Sequence, residues 1–264
     1  MFEHDPGMEL VRAAISGVSK TQITTYLKTK YGLSDSTMRR LVDLCEFKKK
    51  PKKIDYNRFY NLPVTQKADK IHYPFTQIYT VKNFFSSEIC NQIIKKIETR
   101  IRPSTISNPK DEQITSDYRT SSSADFPFYI DPFYAEIDNK IADYLGVTPF
   151  LGETLQAQKY NPGQYYKQHC DYFTPRSKEY KTYTEWMGQR TWTFMCYLND
   201  VEEGGETFFK HLKLKIKPQK GMAVIWNNLY KNGIPNYKTL HEACPPVSGD
   251  KYVITKWFRS WSLV

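Results

Sequence analysis

The stretch YYKQHCDYF sets His169 and Asp171 two residues apart, with Cys170 between them. All three side chains are of types that ligate metals. On a β-strand, residues i and i+2 point to one face and i+1 to the other. His169 and Asp171 can therefore converge on one ion while Cys170 faces away from it. A His-x-Asp arm completed by a distant histidine gives a 2-His-1-carboxylate facial triad, the ligand set of non-haem Fe(II) oxygenases, which leaves positions open on the metal. Two open positions accept a bidentate 2-oxo acid and the third accepts O2. Two neutral imidazoles and one carboxylate leave such a ferrous site close to charge balance with a dianionic cosubstrate.

Five histidines are present, so three besides His241 compete to complete the arm. His4 and His72 precede the β-rich region, and His211 sits in a Lys-rich turn. His241, in the strand-like run KTLHEACPP 70 residues after Asp171, is the best placed. A dianionic cosubstrate also needs a cation at its far carboxylate. Lys251 opens the apolar, aromatic run KYVITKWF and could supply it. A lysine buried in such a strand is costly without an anionic partner. The competing reading places Lys251 at the strand end, with its ammonium reaching water.

These residues need a scaffold. The chain has 264 residues, 40% of them hydrophobic and 15% aromatic, enough for one sizeable core with a small appended module. No run approaches the roughly 20 apolar residues of a membrane span, and MFEHDPGMEL lacks the features of a signal peptide. Five scattered cysteines without a CxxC pair argue against a disulfide framework or a zinc ribbon, so a reduced, cytoplasmic protein is expected. The net charge of +10 fits a nucleic-acid partner, an acidic substrate or a plain basic surface.

Residues 1–47 read as short helices with caps at Ser19 and Ser34, either a small bundle or a helix-turn-helix carrying Arg39 and Arg40. Residues 48–73 read as a basic, Pro-punctuated linker, and residues 74–264 as the main domain. There, FTQIYTVKNF alternates like a strand. FSSEICNQIIKKIETRI and DPFYAEIDNKIADYLGV read as amphipathic helices, the second with Ile137, Ile141 and Leu145 on one face. Seven short strand-like runs follow residue 150, which predicts a β-sandwich or jelly roll with helices packed on one side.

The segments YNPGQYYKQHCDYF, RTWTFMCYLNDVEEGGETFF, GMAVIWNN and TLHEACPPVSGDKYVITKW occur in this order. Together they resemble the prolyl 4-hydroxylase family of Fe(II)/2-oxoglutarate dioxygenases over roughly residues 75–260. The resemblance implies a double-stranded β-helix with His169, Asp171 and His241 as iron ligands and Lys251 on the distal carboxylate of 2-oxoglutarate; these four would be the catalytic set. Tyr160 and Thr207 match cosubstrate-binding positions, and Trp257 matches a tryptophan beside the iron pocket. Arg119, Ser121, Glu153 and Arg190 match positions associated with the peptide channel. The implied reaction consumes O2 and 2-oxoglutarate, releases succinate and CO2, and hydroxylates prolyl residues of a peptide or protein at the 4-position, with ascorbate as a reductant. CPPVSG carries one proline beyond the commoner pattern, and Arg259 stands where some relatives place a histidine. Without the peptide-binding region and secretory features of the animal collagen enzymes, a bacterial or viral cytoplasmic member is expected.

Three rival readings remain open. One is a 2-oxoglutarate oxygenase acting on a nucleic acid or free amino acid, although Lys251 at the anchor position favours the prolyl class. Another is a DNA-binding regulator in which the N-terminal module contacts duplex DNA and the β-domain senses a ligand. The last is a non-catalytic jelly-roll binding module.

Overall fold

A computed structural model describes residues 53–105, 117–128 and 131–261, with scattered positions between 21 and 38. Two β-sheets carry the fold. The strands of the large one, in chain order, are β1 (Asp69–Ile71), β2 (Ile78–Val81), β3 (Arg102–Pro103), β4 (Ser122–Phe126), β5 (Leu155–Tyr160), β7 (Arg190–Tyr197), β11 (Ala223–Asn227) and β14 (Lys251–Arg259). Their spatial order is β1-β2-β11-β7-β14-β5-β4-β3. The small sheet holds β6 (Tyr166–His169), β9 (Thr207–Phe209), β10 (Leu214–Ile216) and β12 (His241–Ala243), ordered β10-β9-β12-β6. A further pair joins β8 (Glu203–Gly204) to β13 (Pro246–Ser248). This is the expected jelly roll.

Strand alternation divides the interior into two cores. Along β7, Trp192, Phe194 and Cys196 point to one side, where they join residues of the helices. Met195 and Tyr197 point to the other, with Phe209 and Ile216 of the small sheet. The run TWTFMCY is therefore apolar almost throughout because both faces of a central strand are covered. Helix α3 (Ser87–Glu98) is capped by Ser86, whose hydroxyl accepts from the Ile89 amide at 3.3 Å. Helix α4 (Pro132–Leu145) starts on Asp131 and stops at Gly146, whose φ of 80° lies in the left-handed region. Ile137, Ile141 and Leu145 are buried, the face the sequence predicts.

The linker expected over 48–73 requires correction. Helices α1 (Asn57–Tyr60) and α2 (Val64–Lys67) lie within it, as does β1, which pairs with β2. Phe59, Leu62 and Val64 enter the helix-side core. The indole of Trp192 donates to the Phe59 carbonyl at 2.7 Å, and Gln77 donates to that of Tyr60 at 2.8 Å. The domain therefore begins before residue 57. The lysine run upstream masks three apolar residues whose spacing matches no regular period. The helical module expected over 1–47 lies almost wholly outside the described residues.

One helix is absent from the sequence reading, α5 (Lys178–Met187), capped by Ser177. Its Tyr and Thr residues favour strands by intrinsic propensity, which hides the helical spacing of Tyr180, Tyr183 and Met187.

Candidate metal centre

β6 ends at His169 and β12 opens at His241, and the two residues are antiparallel partners. Pairing sets the imidazoles side by side, their ring centroids 4.3 Å apart and their planes tilted by 55°. Asp171 lies in the bend just after β6, where the sequence reading had extended the strand. It still reaches the histidines: ligand atoms of His169, Asp171 and His241 all lie within 4.8 Å of one another. Cys170 is outside this set, and burial pushes its thiol up to about 11, so it stays protonated.

The donor chemistry fits a divalent metal. His169 Nδ1 lies 2.8 Å from the Lys167 carbonyl and His241 Nδ1 lies 2.9 Å from the Thr239 carbonyl. A carbonyl only accepts, so both Nδ1 atoms carry the proton and both Nε2 lone pairs are free to ligate. Burial, with His241 beside it, pushes His169 down to about 3, so its imidazole is neutral. Burial alone would raise the Asp171 carboxyl. His241, His169, Arg190 and the Thr193 hydrogen bond outweigh it and hold the group below the usual carboxylate range. Thr193 donates to Asp171 Oδ2 at 2.6 Å and accepts from Asn228 at 2.9 Å, which fixes the carboxylate.

A cavity of about 140 Å³ opens on this triad, and Lys251, Tyr160, Thr207 and Trp257 share its wall. Lys251 is 1% exposed, which rules out the reading in which it reaches water. Its Nζ has no hydrogen-bond partner among the described residues. It faces the Tyr160 and Tyr197 rings at 5.0 and 5.6 Å, and burial pulls its pKa down to about 8. A buried ammonium left without an anion is the complement of a carboxylate the cavity is built to receive. The cavity suits a metal and a small dicarboxylate: at about 30 Å³ per water it holds roughly five waters' worth of space. The Thr207 hydroxyl lies 2.7 Å from that of Tyr197, and Tyr160 pairs with Lys251 across β5 and β14.

The four channel residues divide. Arg119 lines the cavity and bonds Ser121, Ser123 and Gln156 at 3.1–3.2 Å. Arg190 also lines it, with its guanidinium 4.3 Å from the Trp257 ring and one N–H on the Asp171 carbonyl at 3.2 Å. Ser121 and Glu153 do not line it. Ser121 is buried against Ser104, 2.9 Å away. Glu153 is held by Nε and Nη2 of Arg190, each at 2.6 Å, and by Arg259 at 2.8 Å, so two guanidiniums saturate it. Arg259 is 2% exposed and sits in that clamp, away from the cavity.

Sequence reasoning missed three contributors. Tyr166 stacks on His169 at 3.6 Å. Thr193 is one of the polar residues inside the otherwise apolar β7. Asn199, in the loop after β7, donates to the Asp250 carbonyl at 2.7 Å and accepts from the Tyr252 amide at 2.8 Å. It thus clamps the backbone on both sides of Lys251. The available signal was YLND itself, an amide side chain directly after a buried strand.

Comparison with known proteins agrees with this geometry. Residues 155–259 match the model of the 2OG-Fe(II) oxygenase superfamily. Prolyl 4-hydroxylase subunit alpha-1 of Mus musculus is 37% identical over 171 residues, 64% of this chain and 32% of the mouse protein. Subunit alpha-2 of Gallus gallus is 32% identical over 206 residues, 78% of this chain and 38% of that one. The chain thus spans about a third of the length of these curated relatives. The crystal structure of viral collagen prolyl hydroxylase from Paramecium Bursaria Chlorella virus-1, in complex with 2OG, aligns with TM-score 0.54 and 27% identity, over 69% of this chain and 95% of that one. With the jelly roll in place and all three triad residues inside the matched segment, the chain carries a 2OG-Fe(II) oxygenase domain.

Proposed function

We propose that the chain is an Fe(II)- and 2-oxoglutarate-dependent dioxygenase that hydroxylates prolyl residues of a peptide or protein at the 4-position. The observation that carries this is the convergence, in one small cavity, of the His169–Asp171–His241 triad and the buried, unpartnered Lys251. The prolyl substrate is supported by the prolyl hydroxylase relatives in sequence and structure.

Nε2 of both histidines and a carboxylate oxygen of Asp171 would hold Fe(II). Lys251 would receive the distal carboxylate of 2-oxoglutarate, with the Tyr160 and Thr207 hydroxyls beside it. When bound, iron and cosubstrate supply the oxidising chemistry, consuming O2 and releasing succinate and CO2. The chain's residues position and shield. Thr193 and Arg190 fix Asp171 through its side chain and its carbonyl. Tyr166 and Trp257 wall the cavity with aromatic surface and limit the entry of water, which strengthens every electrostatic contact inside. Glu153 positions Arg190.

Incubation with Fe(II), 2-oxoglutarate and a panel of proline-rich peptides, followed by mass spectrometry, tests the proposal. A mass gain of one oxygen atom on proline is expected. Succinate formation without product on any proline peptide would overturn the substrate assignment, and no succinate at all would overturn the enzyme assignment.

A further inference from the structure

Two of the three triad residues are held, one step removed, by buried amides that have no part in the chemistry described above. β11 ends at Asn227, and Asn228 and Asn236 lie on the chain that leads from it to His241. Asn227 and Asn236 are buried, and Asn228 is 0% exposed. An amide side chain withdrawn from water is costly unless its hydrogen bonds are made inside the protein.

Asn228 reaches Asp171 through Thr193. The Thr193 hydroxyl lies 2.6 Å from Asp171 Oδ2, and a carboxylate only accepts, so the single hydroxyl proton is given to Asp171. The group that faces Thr193 from the other side must then be a donor. Asn228 supplies it, with Nδ2 at 2.9 Å. Turned over, the amide would offer a carbonyl and draw the Thr193 proton away from Asp171. The orientation that serves Asp171 leaves Asn228 Oδ1 buried with no partner among the described residues. Folding alone gives no return for that orphan acceptor. The second carboxylate oxygen, Asp171 Oδ1, lies 3.8 Å from His169 Nε2, on the side of the free imidazole lone pair. One oxygen is thus committed to Thr193 and the other is left for a metal.

Asn236 reaches His241 through the backbone. Its Oδ1 accepts from the Lys238 amide at 3.1 Å and caps the 3-10 turn Tyr237–Thr239. Its carbonyl accepts from the Thr239 amide at 3.1 Å and from the Thr239 hydroxyl at 2.8 Å. The turn so fixed points the Thr239 carbonyl at His241 Nδ1, 2.9 Å away. The two arms are joined, because the Asn236 amide donates to the Asn228 carbonyl at 2.8 Å. Both are braced from outside the matched segment 155–259. Asn236 Nδ2 donates to the Phe75 carbonyl at 3.1 Å, and Asn227 Nδ2 donates to Gln77 Oε1 at 2.8 Å.

We propose that Asn228 and Asn236 are positioning residues of the metal centre, Asn228 for Asp171 through Thr193 and Asn236 for His241 through the Thr239 carbonyl. This rests on the metal reading of the triad and is independent of the substrate. Neither amide touches the triad itself; each fixes the group that does, and their mutual bond keeps the two ligands in step.

The test is Mn(II) binding to the full chain by titration calorimetry, without 2-oxoglutarate, with the Tm of each variant measured alongside. Asn228→Ala, Asn236→Ala and Thr193→Val should each weaken Mn(II) binding roughly tenfold or more, as loss of a partner behind a metal ligand does. Thr193→Ser keeps the hydroxyl and should bind like the wild type. The double variant Asn228→Ala with Thr193→Val should bind no more weakly than Thr193→Val alone, because the relay is already broken. Leu145→Ala, 0% exposed on the helix side, should lower Tm and leave Mn(II) affinity unchanged, which separates lost stability from lost positioning. If Asn228→Ala does not fold, Asn228→Ser, one bond too short to reach Thr193, takes its place. Wild-type Mn(II) affinity in the Asn228 and Asn236 variants would overturn the proposal. So would full additivity of the Asn228 and Thr193 losses, the mark of a residue that acts on the fold and not through Thr193. A wild type that binds no Mn(II) would remove the metal reading itself, whereas wild-type binding with unmoved variants would remove the relay alone.

Discussion

Lys251→Met should stabilise the metal-free protein at neutral pH while removing its affinity for 2-oxoglutarate. Lys251 is 1% exposed, and burial takes its pKa from the ordinary 10.5 to about 8. At about 1.4 kcal/mol per pKa unit, holding the ammonium charged in the folded state costs roughly 3 kcal/mol below pH 8. The Tyr160 and Tyr197 faces return part of this, about 0.5–2 kcal/mol. Methionine fills similar space without a charge, so the net gain should be roughly 1–3 kcal/mol, or a Tm rise of roughly 2–12 °C for a domain of this size. The sign with pH follows from linkage. Between pH 8 and 10.5 the unfolded chain binds more protons than the folded one, so wild-type stability rises across that window relative to the variant. The advantage of Lys251→Met is therefore full below pH 8 and gone near pH 10.5. Differential scanning calorimetry at pH 6.5 and pH 10, with and without 2-oxoglutarate, measures both effects (these pH values bracket the titration at about 8). A variant no more stable than the wild type at the lower pH would show that the ammonium is already satisfied. A variant still stabilised by 2-oxoglutarate would show that Lys251 is not its anchor.

Three further outcomes are expected. Alanine at His169, Asp171 or His241 should abolish Fe(II)-dependent succinate formation, whereas Cys170→Ala should keep most of it; full turnover by His241→Ala would refute the triad. Asn199→Ala frees the backbone on both sides of Lys251, so it should raise the KM for 2-oxoglutarate several-fold with little change in kcat, and an equal fall in kcat with unchanged KM would contradict a positioning role. Phe59→Ala should cost roughly 3–5 kcal/mol in chemical denaturation, because Phe59 is 3% exposed in the core; a cost near zero would restore the linker reading of residues 48–73.

The amino-acid sequence by itself determined the chemistry. His-x-Asp, a late histidine in a strand-like run and a lysine opening an apolar strand supply the candidate metal donors and anchor, because residue types are local properties, and the ordered motifs of the resemblance single them out. The two capped helices and the β-rich texture were legible for the same reason. Tertiary structure decided what depends on pairing across distance. The partnership of His169 with His241 makes the triad, although β6 ends before Asp171. Only the fold shows that Lys251 is sealed from water without a partner, since burial is a property of what packs over a residue. The fold also shows Glu153 in a clamp, because only the packing brings Arg190 and Arg259 to it from strands distant in sequence. It drew Phe59 and Val64 into the core from behind a lysine run. Side-chain type is written residue by residue, whereas desolvation and charge pairing are set by the neighbours that the folded chain supplies.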